Sequence, residues 1–200
     1  VPYGGMARLG VLSEQGSRRY FERFVRQPAI RDRMDGPALE EDRLRDAVNS
    51  RGIVQGPVRP SYADRVLLVG EAAGQVKTTT AGGIYYGMIG AAAAADVLDG
   101  ALAEGRLDAG RLAAYEEAWH DRLLPEIEAG LRLQEVGAAM EAEEIDRLFG
   151  ALQGRLGTAV KRMVRFDWHH AALDTLFGDA ATWRSTVGRA VSALAGSPDG

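Results

Sequence analysis

RVLLVGEAAGQVKTTTAGGIYYG, residues 65–87, decides how the chain is read. It opens on four apolar residues, 66–69, enough for one buried strand. Gly70 ends the strand. Small and polar residues follow, then Thr78, Thr79 and Thr80, then the pair Gly82 and Gly83. An Ala-rich apolar run, 84–102, is long enough for a helix of several turns. The order is therefore strand, loop, helix. Glycines at the helix start let backbone approach a ligand closely. The free N–H groups and partial positive charge of a helix N-terminus suit a phosphate or a carbonyl that gains negative charge. Glu71 stands at the carboxyl end of the strand, where open parallel sheets bind ligands. A tight strand-to-helix connection without a ligand is the competing reading.

The wording of this stretch resembles the second flavin-binding motif of the geranylgeranyl reductase family, L-V-G-D-A-A-G-x-V-x-P-x-T-G-G-G-I-x-x-G. Leu68, Val69, Gly70, Ala72, Ala73, Gly74, Val76, Thr80, Gly82, Gly83, Ile84 and Gly87 match it. Glu71 stands where the family has Asp, Thr78 where it has Pro, and Ala81 where it has the first Gly of the triplet. Glu71 keeps the carboxylate with a longer reach. Thr78 frees a backbone that Pro would fix. Ala81 is tolerated unless its φ must be positive.

The resemblance implies the carboxyl-terminal portion of a two-domain FAD-binding flavoprotein of mixed α/β class, with few strands followed by a mainly helical tail. Residues 1–62 would end a substrate-binding sheet region, 63–103 would be the closing strand-loop-helix of the FAD domain, and 104–200 a helical region. The implied activity is saturation of C=C bonds in prenyl chains of an isoprenoid lipid or quinone, with hydride from reduced FAD. Gly70, Glu71, Ala72 and Gly74 would lie against the ribityl and pyrophosphate. Gly82, Gly83 and Ile84 would offer N–H groups to the pyrophosphate or the flavin C2 carbonyl. NAD(P)H or a ferredoxin-type protein would supply electrons. A cytoplasmic location with peripheral membrane contact fits such a substrate. Catalytic residues are not assigned. Another flavoenzyme, a monooxygenase or halogenase, is one alternative; product analysis separates them. A non-catalytic helical module with a degenerate flavin motif is the other, and a yellow protein on purification of the full-length form would rule against it.

Composition bounds these readings. Of 200 residues, 46% are hydrophobic and 26% charged, as in soluble globular proteins. A net charge of −4 argues against nucleic acid as a partner. The chain has no cysteine, which excludes disulfides, thiolate metal sites and a Cys nucleophile within it. No run approaches the roughly 18 apolar residues of a membrane span. The opening residues lack the layout of a signal peptide and do not begin with Met, so the expectation is a piece of a longer protein. No G-x-G-x-x-G follows a strand, so the ADP half of a dinucleotide site is absent from this sequence; the isolated chain should bind FAD weakly.

Along the chain, residues 6–12 alternate as a strand would. Ser13 or Ser17 is placed to cap a helix whose apolar residues are Tyr20, Phe21, Phe24 and Val25, with Pro28 breaking or restarting it. A second short helix is predicted from Pro37 or Ala38 to Val48. The arginines 18, 19, 23, 26, 31 and 33 read as a solvated face neutralised by Glu22, Asp32 and Asp35. Asp108 is an N-cap for a helix over 111–124, with Leu112, Tyr115, Trp119 and Leu123 on one side. Leu124-Pro125 predicts a kink or a new helix, whose stripe would be Ile127, Leu131, Val136 and Met140. Further helices are predicted at 143–153, 158–164, 170–177 and 181–194. His120, His169 and His170 lack metal-ligand spacing and read as structural. Tyr85 and Tyr86 serve equally well as a ligand lining or as packing, and Trp168 and Trp183 read as core.

Overall fold

A computed structural model describes residues 2–3, 6–34, 48–153, 157–158, 161–162, 165, 167–171 and 173. They are helix-dominated, with two small antiparallel sheets. The chain forms two compact units, Val1–Gly52 and Ile53–Gly200.

In the first unit, β1 (Pro2–Tyr3) pairs with β2 (Met6–Ala7), so only the start of the alternating 6–12 stretch is strand. Helix α1 (Ser17–Val25) begins after Gly16 at φ 66, and no side chain caps it. Neither predicted serine does so: Ser13 Oγ donates to the Gln15 carbonyl, and the Ser17 hydroxyl pairs with that of Ser50. Val25 is buried, while Phe21 and Phe24 are half-buried. Pro28 starts α2 (Pro28–Arg31), whose fixed φ suits a first helical position. Arg18 pairs with Glu22 and Arg31 with Asp32 in the open, as a solvated face should. Most of the helix expected between 38 and 48 lies outside the described residues.

In the second unit, β3 (Tyr62–Ala63) and β4 (Val66–Leu67) form a hairpin, with Tyr62 opposite Leu67 and Ala63 opposite Val66. The sequence predicts a longer, buried strand. Instead Val66 is 48% exposed, because the turn at Asp64 and Arg65 folds the chain straight back on itself. The hairpin is pinned to the next connection by Ala109 N–H on Asp64 Oδ1 (2.6 Å) and Arg65 N–H on the Leu107 carbonyl (2.8 Å).

Two long helices carry the core: α3 (Ile84–Ala103) and α4 (Ala109–Ala138). Tyr86, Ile89, Ala93 and Ala94 of α3 pack on Tyr115, Trp119, Leu123 and Ile127 of α4. The α4 set recurs every fourth residue, which puts it on one face. Asp108 Oδ1 accepts from Arg111 N–H at 3.0 Å, the predicted cap. At Pro125 the helix runs on rather than ending. Proline removes one hydrogen bond and costs about 3 kcal/mol. Leu123 and Ile127, fully buried on either side, each gain roughly 1.5–3 kcal/mol by burial, and this outweighs the break. Helix α5 (Ala142–Leu152) follows, its Glu144 carboxylate accepting from Glu141 N–H. The helices predicted beyond residue 158, and Trp183, lie wholly or largely outside the described residues. Among those described, no helix is long and apolar enough to cross a membrane.

Candidate functional site

The loop between β4 and α3 has two halves. The first begins at Gly70, at φ 70, and makes a 3₁₀ turn over Gly70–Ala73. Gly74 closes it at φ 74, its N–H on the Glu71 carbonyl. A Cβ at Gly74 would stand 1.8 Å from the Gly56 carbonyl oxygen, so glycine is required both by the left-handed backbone and by the approach of the 56–57 segment. Val58 N–H donates to the Ala73 carbonyl at 3.1 Å and fastens that segment down.

Residues 73–78 are buried without exception, including the polar Gln75, Lys77 and Thr78. Each has a partner. Gln75 Oε1 accepts from Gly70 N–H (2.7 Å), and its Nε2 donates to the Tyr115 hydroxyl (2.8 Å). Thr78 Oγ1 donates to the Ile127 carbonyl (2.8 Å), and Gln134 Nε2 donates to the Thr78 carbonyl. Lys77 Nζ lies 2.7 Å from Asp167 Oδ1. The Tyr86 hydroxyl donates to the Asp167 carbonyl (2.9 Å). Burial first, and then the charges of Glu126 and Asp167, hold the Tyr86 phenol well above its ordinary pKa, so it stays protonated as a donor. Trp168 packs beside Tyr85 and Tyr86 and joins the core. Glu126 Oε2 accepts the backbone N–H groups of both His169 and His170.

The second half is open. Lys77 N–H donates to the Gly82 carbonyl at 2.9 Å and closes a small loop. At its tip Ala81 stands at φ 55, the left-handed region, where the resembling motif has glycine. Gly82 is exposed and Gly83 half-buried. Gly83 is the N-cap of α3, and no side chain caps the helix. The N–H groups of its first turn have no acceptor within the helix. Ile84 is 86% exposed.

The expected site residues are thus placed in two clusters. Gly70, Glu71, Ala72 and Gly74 form the 3₁₀ turn and its cap, with Ala72 exposed and Gly74 buried. Gly82, Gly83 and Ile84 form the start of α3. The turn packs against α3, and a Cβ on Gly87 would lie 3.4 Å from the Gly70 Cα, so the clusters meet through the first helical turns. The sequence reading passed over Gln75, Tyr115 as a polar group, and the Lys77–Asp167 pair. The one local signal was a polar Gln and Lys on either side of Val76 in a stretch of small residues. Among the described residues no group of His, Asp and Glu could hold a metal ion.

The chain is a relative of the geranylgeranyl reductases. It is 30% identical over 144 residues to digeranylgeranylglycerophospholipid reductase 2 of Methanothermobacter thermautotrophicus, covering 72% of this chain and 34% of that protein. It is 28% identical over 168 residues to digeranylgeranylglycerophospholipid reductase of Methanocaldococcus jannaschii, covering 82% of this chain and 42% of that protein. With the Methanothrix thermoacetophila protein of the same name it shares 30% over 150 residues, 74% of this chain and 36% of that one. The chain therefore spans between a third and a half of the length of these curated relatives. No family model and no solved structure matches it.

Proposed function

We propose that residues 63–103 are the closing strand-loop-helix of an FAD site in a reductase that saturates C=C bonds of a prenyl lipid chain. The observation that carries this reading is the uncapped start of α3, a 20-residue helix, behind the exposed backbone of Gly82 and half-buried Gly83. The residues present fit the cofactor. A Cβ on Gly70 would meet nothing within 4 Å, so the backbone there is open to a ligand, while one on Gly82 would lie 3.3 Å from Thr80 Oγ1 and 3.9 Å from Lys77 Cε, so a ligand there would meet the Gly82 backbone beside the Thr80 hydroxyl. The names of the relatives supply the substrate class. FAD, when bound, supplies the hydride, and NAD(P)H or a ferredoxin-type protein would reduce it.

In this reading the first-turn N–H groups of α3 would hold the flavin C2 carbonyl or the pyrophosphate, where a fixed positive end would need no rearrangement to meet negative charge. Glu71, at the start of the 3₁₀ turn, accepts from a ribityl hydroxyl. A hydrogen bond to a charged group contributes roughly 1.5–3 kcal/mol. In a protein that carries both halves of the FAD site, Glu71→Ala should therefore weaken FAD binding roughly ten- to a hundredfold. Glu71→Asp, which restores the residue of the resembling motif, should preserve or improve it. Equal flavin occupancy in wild type and Glu71→Ala, read by absorbance at subsaturating FAD, removes Glu71 from the site.

A further inference from the structure

Pairing in β4 stops at Leu67, yet the next backbone groups are not left to water. Leu68 N–H still reaches the Ser61 carbonyl (2.8 Å). Beyond it, no strand among the described residues lies beside the Leu68 carbonyl or Gly70 N–H to take them up. The Tyr115 hydroxyl donates to the Leu68 carbonyl at 2.6 Å. Gln75 Oε1 accepts from Gly70 N–H at 2.7 Å, and Gln75 Nε2 joins the two by donating to the Tyr115 oxygen at 2.8 Å. Gln75 and Tyr115 are both fully buried. Each atom has one consistent role. Gly70 N–H can only donate, so it fixes which end of the Gln75 amide faces it. The amide nitrogen then faces the tyrosine, whose own proton goes to Leu68.

We propose that Gln75 and Tyr115 are positioning residues: their relay stands in for the missing strand partner and sets the shape of the Gly70–Gly74 turn toward the cofactor. The clause about the cofactor rests on the flavin reading above; the shape of the turn does not. The relay also couples the turn to the helix pair. A Cβ on Gly90 would fall 1.8 Å from Gln75 Oε1 and 2.4 Å from its Cδ, so the amide occupies a seat that α3 leaves open by having glycine there. The strand end, α3 and α4 all meet at one side chain, in surroundings dry enough to strengthen its bonds.

The Gly90 seat provides the test. Gln75→Ala removes the relay and leaves a void; Gln75→Ala/Gly90→Ala puts a methyl into that void but restores no hydrogen bond. Tyr115→Phe removes the hydroxyl alone. Each variant is read by thermal midpoint, by amide exchange at Gly70 in NMR, and by FAD dissociation constant from flavin fluorescence. The expected result is that the double variant recovers the midpoint lost by Gln75→Ala. Gly70 exchange should stay roughly tenfold faster than wild type and FAD binding roughly tenfold weaker, as for one lost hydrogen bond. Tyr115→Phe should show the same two losses. Return of Gly70 protection and FAD affinity together with the midpoint in the double variant would reduce Gln75 to packing and overturn the proposal. So would equal Gly70 exchange in wild type and Tyr115→Phe. If wild type binds FAD and neither substitution alters its affinity while Gly70 exchange changes as expected, the flavin reading of this turn falls and the relay's hold on the turn stands.

Discussion

The two halves of the loop between β4 and α3 differ in what satisfies them. From Ala73 to Thr78 every residue is buried, and polar groups there are met by other parts of the chain: Val58 on one side, Tyr115, Ile127 and Gln134 of α4 on another, Asp167 on a third. From Thr79 to Ile84 most residues are exposed or half-exposed, one sits in a left-handed conformation without being glycine, and the helix that follows is uncapped. Buried, fully paired segments are rigid scaffolds, and open backbone at a helix start is where a ligand can enter. The difference assigns the first half to holding the loop and the second to meeting something outside it.

The largest expected effect lies in the buried half. Gly74→Ala must hold φ 74 and place a methyl 1.8 Å from the Gly56 oxygen, and should cost about 3 kcal/mol or more in denaturant unfolding. Gly82→Ala, in the open half, should cost under about 1 kcal/mol. Similar costs for the two would break the contrast. Next in size, Asp167→Asn takes the counter-charge from the buried Lys77 ammonium. It should cost about 2 kcal/mol, below the range for fully buried pairs because Asp167 keeps some contact with water. A neutral result would show that the buried half does not depend on the 167–170 segment.

Ala81→Gly sharpens the comparison in the other direction. Relief of the positive φ should raise stability by about 1 kcal/mol, roughly 2–4 °C in Tm for a chain of this size. No change would mean that the tip is not held left-handed in solution. The smallest effect is expected at His120, in neither half. Its Nε2 is buried without a partner among the described residues, and burial holds its pKa below the ordinary value. Below about pH 6.5 the unfolded chain takes up a proton that the folded chain refuses, so stability falls as pH drops from there toward the lower folded pKa. His120→Gln should flatten that part of the pH–stability curve; an unchanged slope would assign it to other groups.

Much of this was legible in the sequence where the signal is local. The strand-loop-helix order, the Asp108 cap and the spacing of Leu112, Tyr115, Trp119 and Leu123 each depend on residues within a turn or two, and all are present. What was not legible depends on distant partners. Gln75 needs Tyr115, 40 positions on, and Lys77 needs Asp167, 90 positions on; neither spacing has a period. Of the two readings at Pro125, a kink or a new helix, the new helix is not what forms, because the local rule omits the burial of Leu123 and Ile127 on either side. Ala81 was read as tolerated unless its φ were positive, and only coordinates could supply the angle. The motif wording carried the expectation of FAD further than any geometry of single residues could.

Backbone amide shifts followed by NMR as FAD is added to the protein test the division of the loop most directly. The open half and the outer face of the 3₁₀ turn should move most, at Gly82, Gly83, Ile84 and Gly70–Ala72, while Gln75, Val76 and Thr78, already paired within the fold, change little. FAD bound with its largest shifts in the Val1–Gly52 unit or on α5, and none at Gly82–Ile84, would contradict the account.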